Sequence, residues 1–155
     1  YTLLRNAAAG FPDKPALAFF GAHMSYARLL AEVERFSAVL AGLGVRSGDR
    51  VGMILPNCPE YVIAFFACQR IGAVAVGNNP LYTERELEHQ IKDSGAKVMI
   101  VLDQIYHRFG EIREGFLGAV STVIESLLTY PERFPVVYRQ TRRVNLRRFA
   151  YSLFY

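Results

Sequence analysis

Tryptophan is absent from this 155-residue chain, and cysteine, methionine and histidine are scarce, at two, three and three residues. Cys58 and Cys68 are too few for a disulfide framework, and their spacing is not that of a zinc site. A reducing, cytoplasmic compartment is therefore expected. His23, His89 and His107 stand apart in the sequence. None has metal-ligand spacing, so each reads as a surface or helix-face residue rather than a catalyst. No apolar run approaches the roughly 18 residues that a membrane span needs. The longest candidate, Tyr61–Cys68, reads as a buried helix face. The opening Tyr1-Thr-Leu-Leu-Arg5 carries no initiator Met and no basic segment followed by an apolar one, so no signal peptide is expected. The phosphate-cradling patterns Gly-x-x-x-x-Gly-Lys-Ser/Thr and Gly-x-Gly-x-x-Gly are both missing.

What is there is a globular composition, 52% hydrophobic and 21% charged. The net charge of +4 is unevenly placed. Residues 1–130 hold 12 Lys and Arg against 13 Asp and Glu, whereas residues 131–155 hold six Arg against one Glu. Such asymmetry points to two segments with different partners.

Hydrophobic spacing and punctuation mark the elements. Ala16–Phe20, closed by Gly21, reads as a strand. Tyr26, Leu29, Leu30, Val33, Phe36, Leu40 and Leu43 recur at helical steps, with Ser25 as N-cap and Gly44 as stop. Val51–Leu55 is a strand ended by Pro56-Asn57. Pro59 opens a helix running to about Arg70, with Gly72 as its stop. Ala73–Val76 is a strand, followed by the loop Gly77-Asn-Asn-Pro80. Thr83-Glu-Arg-Glu86 is a capping box, Gly95 a stop, and Lys97–Leu102 another strand. Alternation of strand and helix predicts an α/β fold, a mostly parallel sheet with covering helices. Ligands of such sheets bind at the carboxyl ends of the strands, here Pro56-Asn57, Asn78-Asn79 and Asp103. Loop chemistry alone also accounts for those residues. Glu84, Glu86 and Glu88 are explained by a capped, solvated helix start without metal. Asp103 and His107 would face each other if their segment were helical.

Further on, Phe116–Leu128 has one apolar helical face, Pro131 and Pro135 bracket a loop, and Val144–Phe149 and Tyr151–Tyr155 read as two strands, so a helix followed by an antiparallel hairpin is expected after the parallel sheet. In an extended strand Arg147, Phe149, Tyr151, Leu153 and Tyr155 share a face and Arg148 takes the other. Arg142, Arg143, Arg147 and Arg148 form a basic cluster interleaved with aromatics, suited to a phosphate-bearing partner such as nucleic acid, or equally to solubilising a half-buried sheet.

Several short blocks agree in order and spacing with one family. Met24-Ser-Tyr-Ala-Arg-Leu29, Gly44-Val-x-x-Gly48-Asp-Arg-Val51, Leu55-Pro-Asn-Cys-Pro-Glu-Tyr61, Arg70-Ile-Gly-Ala73, Asn78-Asn-Pro-Leu-Tyr-Thr83, Glu86-Leu87 and Asp93-Ser-Gly-Ala-Lys97 resemble the amino-terminal region of AMP-forming acyl-CoA synthetases, and most of all bacterial long-chain-fatty-acid–CoA ligases. The resemblance runs from about Tyr1 to Glu114. It implies the family's chemistry: an acyl-adenylate formed from a carboxylate and MgATP, then passed to the thiol of coenzyme A. It also implies that the phosphate loop, the magnesium carboxylate, the ribose-binding Asp and the mobile Lys lie downstream of these blocks. No catalytic, cofactor-binding or metal residue is carried over, and no cofactor is expected for this chain alone.

A second resemblance follows. Phe116-Leu-x-Ala-Val120, Pro131-Glu-Arg-Phe-Pro-Val-Val-Tyr138 and Arg142-Arg-x-x-Leu-Arg-Arg-Phe-x-Tyr-Ser-x-Phe-Tyr155 are similar to the later half of RelE/ParE-type toxins. Two segments are therefore expected, an incomplete ligase region at 1–114 and an incomplete toxin-like region at 115–155. The chain then reads as a join of two partial units, inactive as a ligase, with exposed apolar faces and unpaired strand edges. Its alternatives are a ligase fragment that folds and binds a partner, and a nucleic-acid or ribosome-binding module driven by the basic tail.

Overall fold

A computed structural model describes residues 1–102 together with the strand segments 136–138, 141–145 and 151–154. The elements in chain order are α1 (Thr2–Gly10), β1 (Pro15–Phe19), β2 (Ala22–Ser25), α2 (Tyr26–Gly42), β3 (Arg50–Ile54), α3 (Pro59–Ile71), β4 (Val74–Asn78), α4 (Glu84–Ser94), β5 (Val98–Leu102), β6 (Val136–Tyr138), β7 (Thr141–Asn145) and β8 (Tyr151–Phe154).

Helix ends fall where their chemistry places them. Ser25 caps α2, its Oγ accepting from the Arg28 N–H at 3.3 Å, and Gly44 follows the helix with φ of 85°. α3 begins with Pro59 and ends on Gly72 in the left-handed conformation, φ 73°. α4 opens with the full capping box: Thr83 Oγ1 accepts from the Glu86 N–H, and Glu86 Oε2 accepts from the Thr83 N–H at 2.8 Å. These hydrogen bonds hold the exposed Glu86 carboxyl below its ordinary range.

The α/β expectation holds at the centre, where β3 pairs in parallel with β4 on one side and β5 on the other. Two departures follow from local chemistry. First, β1 does not enter the parallel sheet. Phe20 and Gly21 both take positive φ, 45° and 79°, forming a two-residue reversal that folds Ala22–Ser25 back antiparallel on β1. Second, the sheet is mixed beyond β5: the strand order is β4-β3-β5-β8-β7-β6, with β8 antiparallel to β5 and the last three strands antiparallel to one another. Unpaired strand edges were expected, but the outer edge of β5 is occupied by Tyr151–Phe154. Of the expected strand Val144–Phe149, Val144 and Asn145 end the strand Thr141–Asn145 and residues 146–149 lie outside the described residues; the expected strand Tyr151–Tyr155 overlaps Tyr151–Phe154. The expected helix at Phe116–Leu128 and the loop at Pro131 and Pro135 lie outside the described residues.

Alternation along β3 and β5 divides the core. Val51, Met53, Val98 and Ile100 face α2 and α3, joining Val33, Phe36, Leu40, Ile63 and Cys68 in the larger cluster. Ile54, Met99 and Val101 face the opposite way and pack under α4 against Leu87 and Ile91. Gly52 keeps that second face flat: a Cβ there would collide with the thioether of Met99, which is itself buried.

Candidate functional site

The blocks singled out in the sequence gather at opposite ends of the parallel strands. Gly48, Asp49, Arg50, Gly72, Ala73, Ser94, Gly95 and Lys97 meet at the amino end. There the Gly48 N–H donates to the Gly72 carbonyl at 2.8 Å, the Val74 N–H to the Asp49 carbonyl at 2.8 Å, and the Lys97 N–H to the Arg50 carbonyl at 2.9 Å. Side chains complete the tie. Lys97 Nζ lies 2.6 Å from Asp49 Oδ1, the Arg46 N–H donates to Asp49 Oδ2 at 2.9 Å, and the Arg50 guanidinium donates to the carbonyls of Ser94 at 3.0 Å and Gly95 at 3.1 Å. Burial works against ionisation of Asp49. The Lys97 and Arg46 hydrogen bonds and the charges of Lys97 and Arg50 outweigh it and hold the carboxyl below its ordinary value. Gly72 cannot be exchanged cheaply: its φ is positive, and a Cβ would lie 2.7 Å from Ser47 Oγ.

A second polar tie joins the first three helices. Arg70 donates to Ser37 Oγ at 2.8 Å and to the Tyr1 hydroxyl at 3.4 Å, and Tyr1 donates to Glu34 at 3.0 Å. Arg70 therefore serves packing of α3 on α2 and α1.

The carboxyl end looks different. Asn79 Oδ1 accepts from the Leu81 N–H at 2.9 Å, so this residue is a turn former, as loop chemistry alone suggests. Asn78 is buried, 6% exposed; its Nδ2 donates to the Val76 carbonyl at 3.0 Å, and its Oδ1 has no partner among the described residues. Asn57 borders an open cleft of about 300 Å³ between β1 and the start of α3, with Leu17, Phe19, Cys58, Tyr61 and Val62 among its walls. Burial pushes the Cys58 thiol above its ordinary value, so it is not an activated nucleophile. The buried Cys68 thiol is pushed up to about 12.

His23 and His89 are exposed on β2 and α4, and among the described residues no group of three or more His, Cys, Asp or Glu could hold a metal ion. Glu86 closes the capping box and Glu88 pairs with Lys92 at 2.7 Å, matching the solvated-helix reading. Arg142 and Arg143 are consecutive positions of β7, with backbone partners Val136 on β6 and Phe154 on β8. Arg147, Arg148, Asp103 and His107 lie outside the described residues. Sequence reading missed the cleft, because one wall is a hairpin it did not foresee. It also missed the Asp49–Lys97 pair, whose only sequence signal is that each residue stands in a matching block.

A profile of AMP-binding enzymes matches residues 4–139. The chain belongs to the AMP-binding enzyme family. The match runs past residue 114, the expected limit of the ligase-like region, to residue 139. Among its relatives, a long-chain-fatty-acid–CoA ligase of Bacillus subtilis (strain 168) is 34% identical over 149 residues, covering 94% of this chain and 26% of the ligase. A ligase of the same name from Salmonella typhimurium is 40% identical over 113 residues, covering 72% of this chain and 20% of the relative. Solved structures agree on the fold. The anthranilate CoA ligase AuaEII, in complex with anthranoyl-AMP, superposes with a TM-score of 0.71 at 31% identity, over 74% of this chain and 22% of that one. A Mycobacterium tuberculosis fatty acyl CoA synthetase gives 0.64 at 29% identity, over 82% of this chain and 23% of that one. This AMP-binding family chain thus spans about a quarter of the length of the proteins it matches, and no helix among its described residues is long and apolar enough to cross a membrane.

Proposed function

We propose that residues 1–114 are the scaffold portion of a long-chain-fatty-acid–CoA ligase and do not form an acyl-adenylate on their own. In the intact enzyme the substrates would be a fatty acid, ATP with magnesium, and coenzyme A. One observation carries this reading: four charged side chains of the matching blocks, Asp49, Arg50, Arg70 and Lys97, are committed to partners within the fold. Asp49 is held by Lys97 and Arg46, Arg50 by two carbonyls of the α4 terminus, and Arg70 by Ser37. They brace the sheet and, for Arg70, the packing of α3 on α2, instead of facing a triphosphate. Adenylyl transfer depends on donors and a metal aimed at developing phosphate charge, and the chain carries neither of the two phosphate-loop patterns. The test is fatty-acid-dependent ATP–pyrophosphate exchange by the purified chain. No exchange above background is expected; exchange that scales with protein and needs the acid would overturn the proposal.

A second reading concerns residues 115–155, taken as a RelE/ParE-like segment joined to the ligase region and acting through Arg142, Arg143, Arg147 and Arg148 on RNA, a ribosome or an acidic antitoxin. It is supported by the concentration of six Arg against one Glu in the last 25 residues, and it shares 115–139 with the ligase-family match. Binding to labelled RNA should weaken by about an order of magnitude or more between 50 and 200 mM salt. Salt-insensitive binding, or none at low salt, would remove this reading.

A further inference from the structure

We propose that β4 is a dimerisation edge, on which a second copy of this chain adds its own β4 antiparallel across a two-fold axis. The proposal stands on the hydrogen bonding of the sheet and is independent of the ligase reading.

β4 ends the six-stranded sheet, with β3 on one side and no strand on the other among the described residues. Its register fixes which backbone groups face outward. The Val74 N–H donates to the Asp49 carbonyl on the β3 side at 2.8 Å, and β4 runs beside β3 without a bulge. Bonding sides alternate along a strand, so Val74, Val76 and Asn78 bond to β3, while Ala75 and Gly77 turn their N–H and C=O groups away. Those four groups find no partner among the described residues. The free stretch is closed at both ends. The Ala73 N–H donates to the Cys68 carbonyl at 2.9 Å, and the Asn79 carbonyl accepts from the Tyr82 N–H at 3.1 Å.

These limits select the occupant and its register. In an antiparallel pair of β4 strands centred on Val76, Ala75 of each copy lies opposite Gly77 of the other. Each such pair makes two N–H···O=C bonds, so all four free groups of each copy are satisfied. A pair centred on Ala75 would set Gly77 against Ala73, whose N–H is taken; one centred on Gly77 would set Ala75 against Asn79, whose carbonyl is engaged. Val76 then meets its own counterpart as a β-branched cross-strand pair. Val74, 49% exposed, is laid along the strand of the second copy. The strand also lacks the devices that keep an edge single: Val-Ala-Val-Gly-Asn holds no Pro and no charge of either sign, so two copies meet without repulsion. By contrast β6, at the other end of the sheet, is three residues long and irregular in register against β7.

Sedimentation velocity of the full chain tests the pairing. The mass should rise from 17.5 kDa toward twice that value between about 1 and 100 μM. Ala75→Pro removes an outward donor and leaves the β3 ladder in place, so it should stay monomeric with unchanged far-ultraviolet circular dichroism. Register is tested by disulfide formation in a Cys58→Ser background. Val76→Cys should link two copies under mild oxidation, because partners at a non-hydrogen-bonded position lie about 4.5 Å apart at Cα. Val74→Cys should not link, its counterpart lying beyond the roughly 7 Å that a disulfide spans. If Ala75→Pro loses its circular dichroism, the cysteine pair decides. A mass of 17.5 kDa throughout that range, a mass beyond the dimer, a dimer that folded Ala75→Pro leaves intact, or equal linking of the two cysteine variants would overturn the proposal.

Discussion

Asp49 shows how a residue that looks like a candidate acid becomes a structural one. It has a cation at 2.6 Å, a backbone N–H at 2.9 Å and a main-chain carbonyl bonded to β4, so it joins the starts of β3, β4 and β5. Its native pKa lies below the ordinary 3.8. A depressed carboxylate contributes stability that is fully present well above the unfolded value and is lost as pH falls through the native one. Asp49→Asn should therefore cost about 1–2 kcal/mol at neutral pH, and the gap from the unsubstituted chain should close below about pH 4. Urea unfolding at pH 7 and pH 3 measures both. An equal gap at the two pH values would show that the charge of Asp49 contributes nothing.

At the scale of elements, what could be read from the sequence depended on chemistry at the ends. α2, α3 and α4 were legible because Ser25, Pro59 and Thr83 mark their starts and Gly44, Gly72 and Gly95 their stops. α1 was not: Tyr1 makes no side-chain cap bond, and only Leu4 and Ala8 are buried, too few to show a period. β2 was hidden because Ala-His-Met-Ser lacks the β-branched and aromatic residues that announce strands. The turn before it was hidden because Phe20 stands where Asn or Gly is usual. Replacing Phe20 by Asn should relieve the left-handed strain and raise stability by about 0.5–1 kcal/mol, seen as a higher melting temperature. A lower one would mean that the Phe19–Phe20 ring contact is worth more than the strain.

On the scale of the whole molecule, the ligase-like blocks sort themselves by position. Those at the amino end of the parallel strands bond to one another; those at the carboxyl end border a neutral cleft and a buried Asn78 oxygen. The family was legible from the order and spacing of the blocks, because each block contains a turn or a tie that only a few residues can make. The division of labour between the two ends was not, since it depends on contacts such as Asp49 with Lys97, 48 positions apart. Pairing of the distant strand Tyr151–Phe154 with β5 was beyond local pattern for the same reason.

The central claim is that the amino-end blocks are scaffold, and native-state hydrogen exchange at three amides tests it most directly. The Gly48, Val74 and Lys97 N–H groups bridge separate elements there. They are expected to exchange only through global unfolding, with protection matching the unfolding free energy and falling together in Asp49→Asn. Exchange as fast as that of exposed loop amides, unchanged by the substitution, would contradict the account and leave those blocks without a structural role.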